Sequence, residues 1–581
     1  MRILPTVIIL SLLVACTGKS DSPTPTGDPI LLTIIGTGDV HGELLPSHQR
    51  GGLTTLSGYM AAVRSARADD GGAVLLIDAG DMWQGTLESN LAEGATIVEA
   101  YNALGYNAAT IGNHEFDFGP IGALAVPASD SDDPRGALRQ RATEAQFPIL
   151  GANTIDSSTG EPVDWENVTP STMLNAAGID VGVIGLITSE ALVTTMAANI
   201  VGLEFRPLAK AIEREATRLR ADGADLVIVT AHAGSGCTEF DDPLDLSSCY
   251  LDGEIVRVAN ALPTGLVDHI IAGHTHNGMA HVVNGIVITS SYSKTYAFSR
   301  VDFLVDPATE LVVDRKIFPP QINCPAFDTA TDECEWVSTD PETTRPATYE
   351  GMVVTPAPAV ISIAARAEAS AAAIKAEKLG VKAESPFTLE GNPESTLANL
   401  FMDALLAGID ADVLLHNVSG GIRAELPAGD ITYGNVFDVM PFDNQVTVLE
   451  LSGAQVRNII EAQVHNDRRR AGFSGMRVFV ACQDDVMSIE MILNNGRAIA
   501  DDDRVRVAAS DFLAGGGDEV LTPAMPDGGF QYDEDPRTIR DVLADWFRKR
   551  GGSINAADFE SGADRRWNFS ELFVTQCQNG V

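Results

Sequence analysis

Five short apolar runs, at residues 31–35, 74–77, 108–111, 226–229 and 270–271, each lead into a polar cluster of metal-ligand residue types. This ordered series constrains the fold more than any other feature of the chain. In turn the runs deliver Thr37-Gly38-Asp39-Val40-His41-Gly42, Asp78-Ala79-Gly80-Asp81, Gly112-Asn113-His114-Glu115-Phe116-Asp117, Thr230-Ala231-His232 and Gly273-His274-Thr275-His276. Five of the ten histidines fall in these clusters, so imidazole is concentrated where the carboxylates are. Apolar runs of this length read as buried strands, and open α/β sheets bind ligands at the carboxyl ends of their strands. Glycines beside the candidate ligands let the backbone turn sharply and approach an ion closely.

Ala-rich helical segments such as 53–68 and 208–221 alternate with these runs and with others at 181–187, 269–271 and 286–289, which predicts a layered α/β domain over about residues 30–305. At 581 residues the chain exceeds what one core organises, so further domains are expected. Residues 319–358, with several prolines and two cysteines, read as an irregular connection. An Ala-rich helix at 359–379 then leads into a second domain from near Ser385, with a helix at 396–407 and strands at 445–451 and 505–509.

The N-terminus joins Arg2 to an apolar stretch ending at Leu13-Val14-Ala15-Cys16, too short to span a bilayer. It resembles a bacterial lipoprotein signal, which implies an acylated Cys16 and an exported protein anchored to a membrane on its periplasmic or cell-surface face. An ordinary cleaved signal is the alternative. Residues 17–29, rich in Thr, Ser, Pro and Gly, read as a disordered tether. Export permits disulfides, and six cysteines remain beyond Cys16. Of the connectivities open to them, the local pairs Cys237 with Cys249 and Cys324 with Cys334 are preferred, leaving Cys482 with Cys577. The formal charge of -41 repels polyanions and gives no footprint for polymeric nucleic acid. A small anionic substrate held by metal ions stays compatible.

Taken together, Asp-x-His, Gly-Asp, Gly-Asn-His-Glu, a single His and Gly-His-x-His, each after a strand, closely resemble the calcineurin-like metallophosphoesterase superfamily over about residues 30–303. The resemblance implies a layered α/β sandwich. It also implies that Asp39, His41, Asp81 and His276 hold one divalent metal ion while Asp81, Asn113, His232 and His274 hold a second, with Asp81 between them. Mixed oxygen and nitrogen ligands suit Zn, Mn, Fe or Co without choosing among them. Two such ions lower the pKa of a bound water and orient it for in-line attack, so hydroxide is the expected nucleophile. His114 and Asp117 resemble the family's catalytic dyad, with a protonated His114 stabilising the transition state and Asp117 holding its charge and tautomer. Glu115 and Asp78 read as supporting groups.

The second half resembles the C-terminal domain of 5′-nucleotidases over about residues 385–547. Ser419-Gly420-Gly421-Ile422-Arg423, Gly434-Asn435-Val436-Phe437, Met440-Pro441-Phe442-Asp443-Asn444 and the glycine-rich run from Asp511 and Phe512 to Asp518 carry that likeness. It implies a base sandwiched by Phe442 and Phe512, a ribose contact from Asp518 and a phosphate contact from Arg423. Two positions depart from the family: Gly391 stands where another phosphate-binding arginine is common, and Val418 stands where an asparagine is usual, beside Asn417. The fold class is thus α/β, an N-terminal layered sandwich joined by a helix to a smaller mixed α/β substrate-binding domain. Expected boundaries are a signal at 1–16, tether at 17–29, catalytic domain at 30–320, linker and helix at 321–384 and C-terminal domain at 385–581. The expected activity is removal of phosphate from nucleotides. The alternatives are a 2′,3′-cyclic phosphodiesterase, a UDP-sugar or sulfur-ester hydrolase, and, in another class, a non-catalytic surface binding or adhesion protein. Closure of the domains about the 359–379 helix is expected to bring Arg423, Phe442 and Phe512 over the metals.

Overall fold

The computed structural model describes residues 28–337, 340–391, 393–464, 470–483, 486–531, 533–562, 565–570 and 573. The expected signal with Cys16, most of the tether and Cys577 lie outside the described residues.

Two β-sheets pack face to face in the N-terminal half. The first runs Leu311–Ile317, Ala297–Asp306, Ile30–Thr37, Ala73–Asp78, Ala108–Thr110, Ile149–Leu150, Val168–Thr169, with Gln321–Ile322 also on Ala297–Asp306. The second runs Gly278–Val283, Ile286–Ser291, His269–Ala272, Leu226–His232, Ile179–Ile187, Ser171–Ala176. Period-two alternation explains the layering. On the first sheet Leu32, Ile34, Leu75 and Ile77 point between the sheets to meet Val181, Val183, Leu226 and Ile228 of the second. Their neighbours Ile35 and Leu76 point outward under the helices Gly52–Asp70 and Ala95–Leu104. Val227, Val229 and Ala231 point outward on the second sheet, beneath Leu208–Ala221 and Glu254–Ala261. The central strands of both sheets are parallel, which gathers their carboxyl ends along one edge of the sandwich.

The long strand Ala297–Asp306 and the edge strand Ser171–Ala176 escaped the sequence reading. In the first, Arg300, Asp302 and Asp306 break the apolar run, yet all three are buried: Arg300 pairs with Asp302, and Asp306 accepts from the Ala308 N–H and the Thr309 hydroxyl. The region expected to be irregular, 319–358, instead holds short strands, Ala326–Asp328 between Cys334–Glu335 and Thr344–Pro346, and Thr348–Tyr349 paired with Met352–Val353. The helix expected to reach Leu379 ends at Lys375, and the chain turns into the strand Lys378–Ala383. That strand pairs with Gly429–Thr432 and Gly552–Ile554, so C-terminal packing begins before Ser385. Its exposed-buried alternation is a strand signal that the Ala-rich context hid.

The C-terminal half is built on a five-stranded sheet ordered Gly472–Ser474, Val413–His416, Arg504–Ser510, Gln445–Ser452, Asp533–Thr538. Helices Thr396–Gly408 and Ile539–Arg550 cover one face and Gly453–Val464 the other. Cys237–Cys249 and Cys324–Cys334 are disulfides, and Cys482 is disulfide-bonded as well. Among the described residues no helix is long and apolar enough to cross a membrane.

Candidate active site

All five strand-end clusters meet at the shared edge of the sandwich. Asp39, His41, Asp81, His274 and His276 each take positive φ, between 49° and 74°. That left-handed backbone costs on the order of 1–3 kcal/mol per non-glycine residue and concentrates where function demands it, although Asp and His tolerate it better than most. Gly80, at φ 88°, packs where a Cβ would strike the Gly112 backbone and the His232 ring, so the Asp81 and Asn113 loops can touch only with glycine there.

Two backbone carbonyls fix the imidazole tautomers. His41 Nδ1 donates to the Gln84 carbonyl at 2.9 Å and His232 Nδ1 donates to the Ala79 carbonyl at 2.8 Å. In the neutral ring each Nε2 then presents a lone pair. His232 Nε2 faces Asn113 Oδ1 at 3.0 Å, Asp81 Oδ2 at 3.1 Å and His274 Nδ1 at 3.2 Å. His41 Nε2 lies 3.1 Å from His276 Nε2 and 3.9 Å from Asp81 Oδ2, while His276 Nε2 lies 3.4 Å from Asp39 Oδ1. Lone pairs and carboxylates converging in this way suit divalent cations, and Asp81 touches both groups. Donor atoms of Asp39, His41 and His276, and of Asp39, Asp81 and His232, fall within 4.8 Å of one another. A third cluster, Cys237, Cys249 and His281, has its sulfurs tied up in a disulfide and offers no thiolate.

Supporting groups surround this core. The buried Glu115 carboxylate accepts backbone N–H bonds from Gly112, Asp81 and Met82 at 2.7–2.8 Å, pinning two strand-end loops together. Burial, then the Asp81 charge, push Glu115 up to about 8, with the N–H donors pulling the other way; a cation against Asp81 relieves that repulsion. Asp78 accepts from Thr37, Tyr101 and Gly80, and burial lifts it to about 7. His114 Nδ1 lies 2.6 Å from Asp117 Oδ2, and the His114 backbone N–H donates to Asp81 at 2.9 Å. Burial works against a charged His114, but the Asp117 and Asp81 carboxylates outweigh it and raise its pKa above the ordinary value.

The C-terminal domain forms the facing wall of a cavity of about 620 Å³ whose lining includes His114, His274, Arg423, Phe442, Phe512 and Asp518. Arg423 Nη2 lies 3.3 Å from His41 Nε2, so the two halves stand closed on each other. The Phe442 ring stacks on His114 with centroids 5.6 Å apart, and the Arg423 guanidinium sits 5.7 Å from the same ring. Asp518, at φ 48°, accepts from the Asn417 amide at 2.6 Å.

The sequence profile of the calcineurin-like phosphoesterases matches residues 32–278, and that of the 5′-nucleotidase C-terminal domain matches residues 373–525. This chain joins a calcineurin-like phosphoesterase domain to a 5′-nucleotidase C-terminal domain. It is accordingly a metal-dependent phosphoester hydrolase. It is 26% identical to a 5′-nucleotidase of Vibrio cholerae over 562 residues, covering 89% of this chain and 91% of that one. It is also 26% identical to the endonuclease YhcR of Bacillus subtilis over 513 residues, which takes in 86% of this chain but spans only 38% of that longer protein. The 5′-nucleotidase precursor of Thermus thermophilus shares the fold, with a TM-score of 0.69 at 20% identity over 93% of this chain and all of that one.

Within the 5′-nucleotidase domain the two departures resolve differently. Val418 is buried in the core, while the adjacent Asn417 lines the cavity and holds Asp518. Gly391 sits at φ 87° in an exposed turn, is not among the residues lining the cavity, and has open space where a side chain would begin. Arg257, in the helix Glu254–Ala261 of the phosphoesterase domain, does line it. Sequence reading also missed Gln84, whose backbone holds His41, and Lys294, whose Nζ donates to the Arg423 carbonyl at 3.2 Å. Neither carries a local signal, because a lone amide or lysine in a loop is ordinary.

Proposed function

We propose that this chain is an exported two-metal phosphohydrolase that removes phosphate from nucleotides. The observation that carries the reading is the convergence of imidazole lone pairs and carboxylates from five strand ends, directly opposite Arg423 and Phe442 across one cavity. Asp39, His41, Asp81 and His276 would hold one divalent ion and Asp81, Asn113, His232 and His274 the other. Bound there, such ions supply Lewis-acid polarisation of the phosphoryl group and activation of water.

The chain's own groups do the rest. Arg423 pairs with phosphoryl oxygens that the acidic protein would otherwise repel. His114, kept protonated by Asp117, neutralises charge building on the phosphoryl group and gives a proton to the leaving oxygen. Phe442 and Phe512 offer aromatic faces to a base, and Asp518, steadied by Asn417, accepts from the vicinal hydroxyls of ribose.

Purified protein supplied with Mn or Zn is expected to release phosphate from nucleoside 5′-monophosphates faster than from 2′,3′-cyclic nucleotides, UDP-sugars or sulfur esters. No release from any of these by metal-loaded protein would sink the reading. A preference for one of the latter three would keep the chemistry and replace the substrate. Export and anchoring rest on the Cys16 motif, and Cys16→Ala is expected to move the protein from the membrane to the soluble fraction.

A further inference from the structure

Between the metal core and the base-gripping loop lies a buried contact that the proposed chemistry does not use. Gln84, 2% exposed, and the half-buried Asn90 both belong to the phosphoesterase domain, and their amides donate to one acceptor across the interface. Gln84 Nε2 and Asn90 Nδ2 each lie 3.1 Å from the Pro441 carbonyl oxygen. Two donors on a single carbonyl saturate its lone pairs, an arrangement that recognises backbone position rather than a side chain.

Both amides are themselves anchored. The Gln84 backbone carbonyl accepts the Nδ1–H of His41 at 2.9 Å, so one residue touches a proposed metal ligand with its main chain and the opposite domain with its side chain. Asn90 Oδ1 accepts the Gly85 N–H at 3.0 Å, which orients the amide and turns Nδ2 toward Pro441. Phe442 follows Pro441 immediately, and its ring lies against His114.

We propose that Gln84 and Asn90 are positioning residues that hold the Pro441 carbonyl and so set Phe442 against His114, where its ring grips a substrate's base. The proposal rests on the nucleotide reading for its kinetic consequence, not for its geometry. Gln84→Glu and Asn90→Asp test it with little change in shape, because each replaces an N–H donor by an oxygen that repels the carbonyl. Gln84→Met removes the donor without adding charge, and all variants keep the Gln84 main chain that holds His41.

In each variant KM for a nucleoside 5′-monophosphate is expected to rise roughly tenfold, the effect of one lost buried hydrogen bond. Hydrolysis of ribose 5-phosphate, which has no base for Phe442 to hold, should stay within about twofold on the same scale. Equal losses on both substrates, or no loss on either, would overturn the clamp. Amide hydrogen exchange at Phe442, Asp443 and Asn444 gives a readout free of substrate: it should quicken in the double variant, and unchanged exchange would also overturn the proposal. Failure of the wild type to hydrolyse either ester would strike the nucleotide reading alone, leaving exchange to decide the clamp.

Discussion

The two halves of this molecule hold their functional groups by different means. In the phosphoesterase domain five of the seven proposed metal ligands sit at positive φ, in loops that leave parallel strands buried on both faces. In the 5′-nucleotidase domain only Asp518 of the four proposed substrate groups is so constrained, and Arg423, Phe442 and Phe512 sit on or beside short helical turns. A site fixed by two packed sheets tolerates little displacement, because interiors are dense and strand register moves in whole residues. One carried on helix ends and loops adjusts at smaller cost. On the proposed reading this is a division of labour, in which the rigid half would set the reaction and the adaptable one its substrate.

Changes in the rigid half should therefore be severe and indifferent to substrate. Asp81→Asn weakens the charge shared by both cation groups, and we expect hydrolysis of every ester to fall on the order of 10⁴-fold or more, with bound metal lost in parallel when measured by elemental analysis. Retained activity would break the contrast at its strongest point. His114→Ala should lower kcat by about 10²–10³-fold and leave metal content intact, since the ring is a proton donor and not a ligand in this reading. Loss of metal from that variant would move His114 into the supporting set.

The same contrast explains what could be read from sequence. Metal-ligand types recurring at strand ends survive any drift of surface composition, so Asp39 through His276 were visible in order, and short continuous apolar runs marked the central strands around them. Ala297–Asp306 was not, because its buried Arg300–Asp302 pair interrupts the apolar pattern and becomes intelligible only with Glu350 and Tyr349 beside it. Nor was the strand Lys378–Ala383, set directly after a helix of high Ala content. Positions of the adaptable half rested on motif alone, and there Val418 stands at the usual asparagine position while the adjacent Asn417 donates to Asp518.

Substitutions on the adaptable wall should be milder and selective. Phe512 lies against Gly517, where a Cβ would come within 2.5 Å of the ring. Phe512→Ala removes a stacking surface for the base, and the expected cost is about 1–3 kcal/mol, seen as a raised KM for nucleotides with little change for ribose 5-phosphate. A comparable loss on both substrates would show that the ring supports the fold more than the substrate, and would blur the division between the halves.

The smallest effect compares the halves by pH. Among the described residues each contains one deeply buried histidine that lacks a full set of partners: His269 Nδ1 in the sandwich and His416 Nε2 at the end of Val413–His416 are unsatisfied. Burial, helped by the Arg315 charge, holds His269 down to about 3, and burial alone holds His416 down to about 4. Unfolded histidine titrates near 6.5, so below that pH the unfolded chain binds a proton that each folded site refuses. Stability is therefore complete above about pH 6.5 and falls toward the folded pKa by up to about 1.4 kcal/mol per pH unit for each ring. Asp78, lifted by burial to about 7, acts with the opposite sign over the same range and masks this in any single pH profile. Its contribution cancels in the difference between wild type and His416→Phe, a change that keeps an aromatic ring against Phe401. Urea midpoints of metal-free protein between pH 7 and pH 5 should show the variant losing less stability than the wild type on acidification, in the transition that unfolds the C-terminal domain. Parallel pH profiles would mean that His416 reaches a proton in the folded state, and the adaptable half would then be open to water beneath its Ser419-Gly420-Gly421 turn.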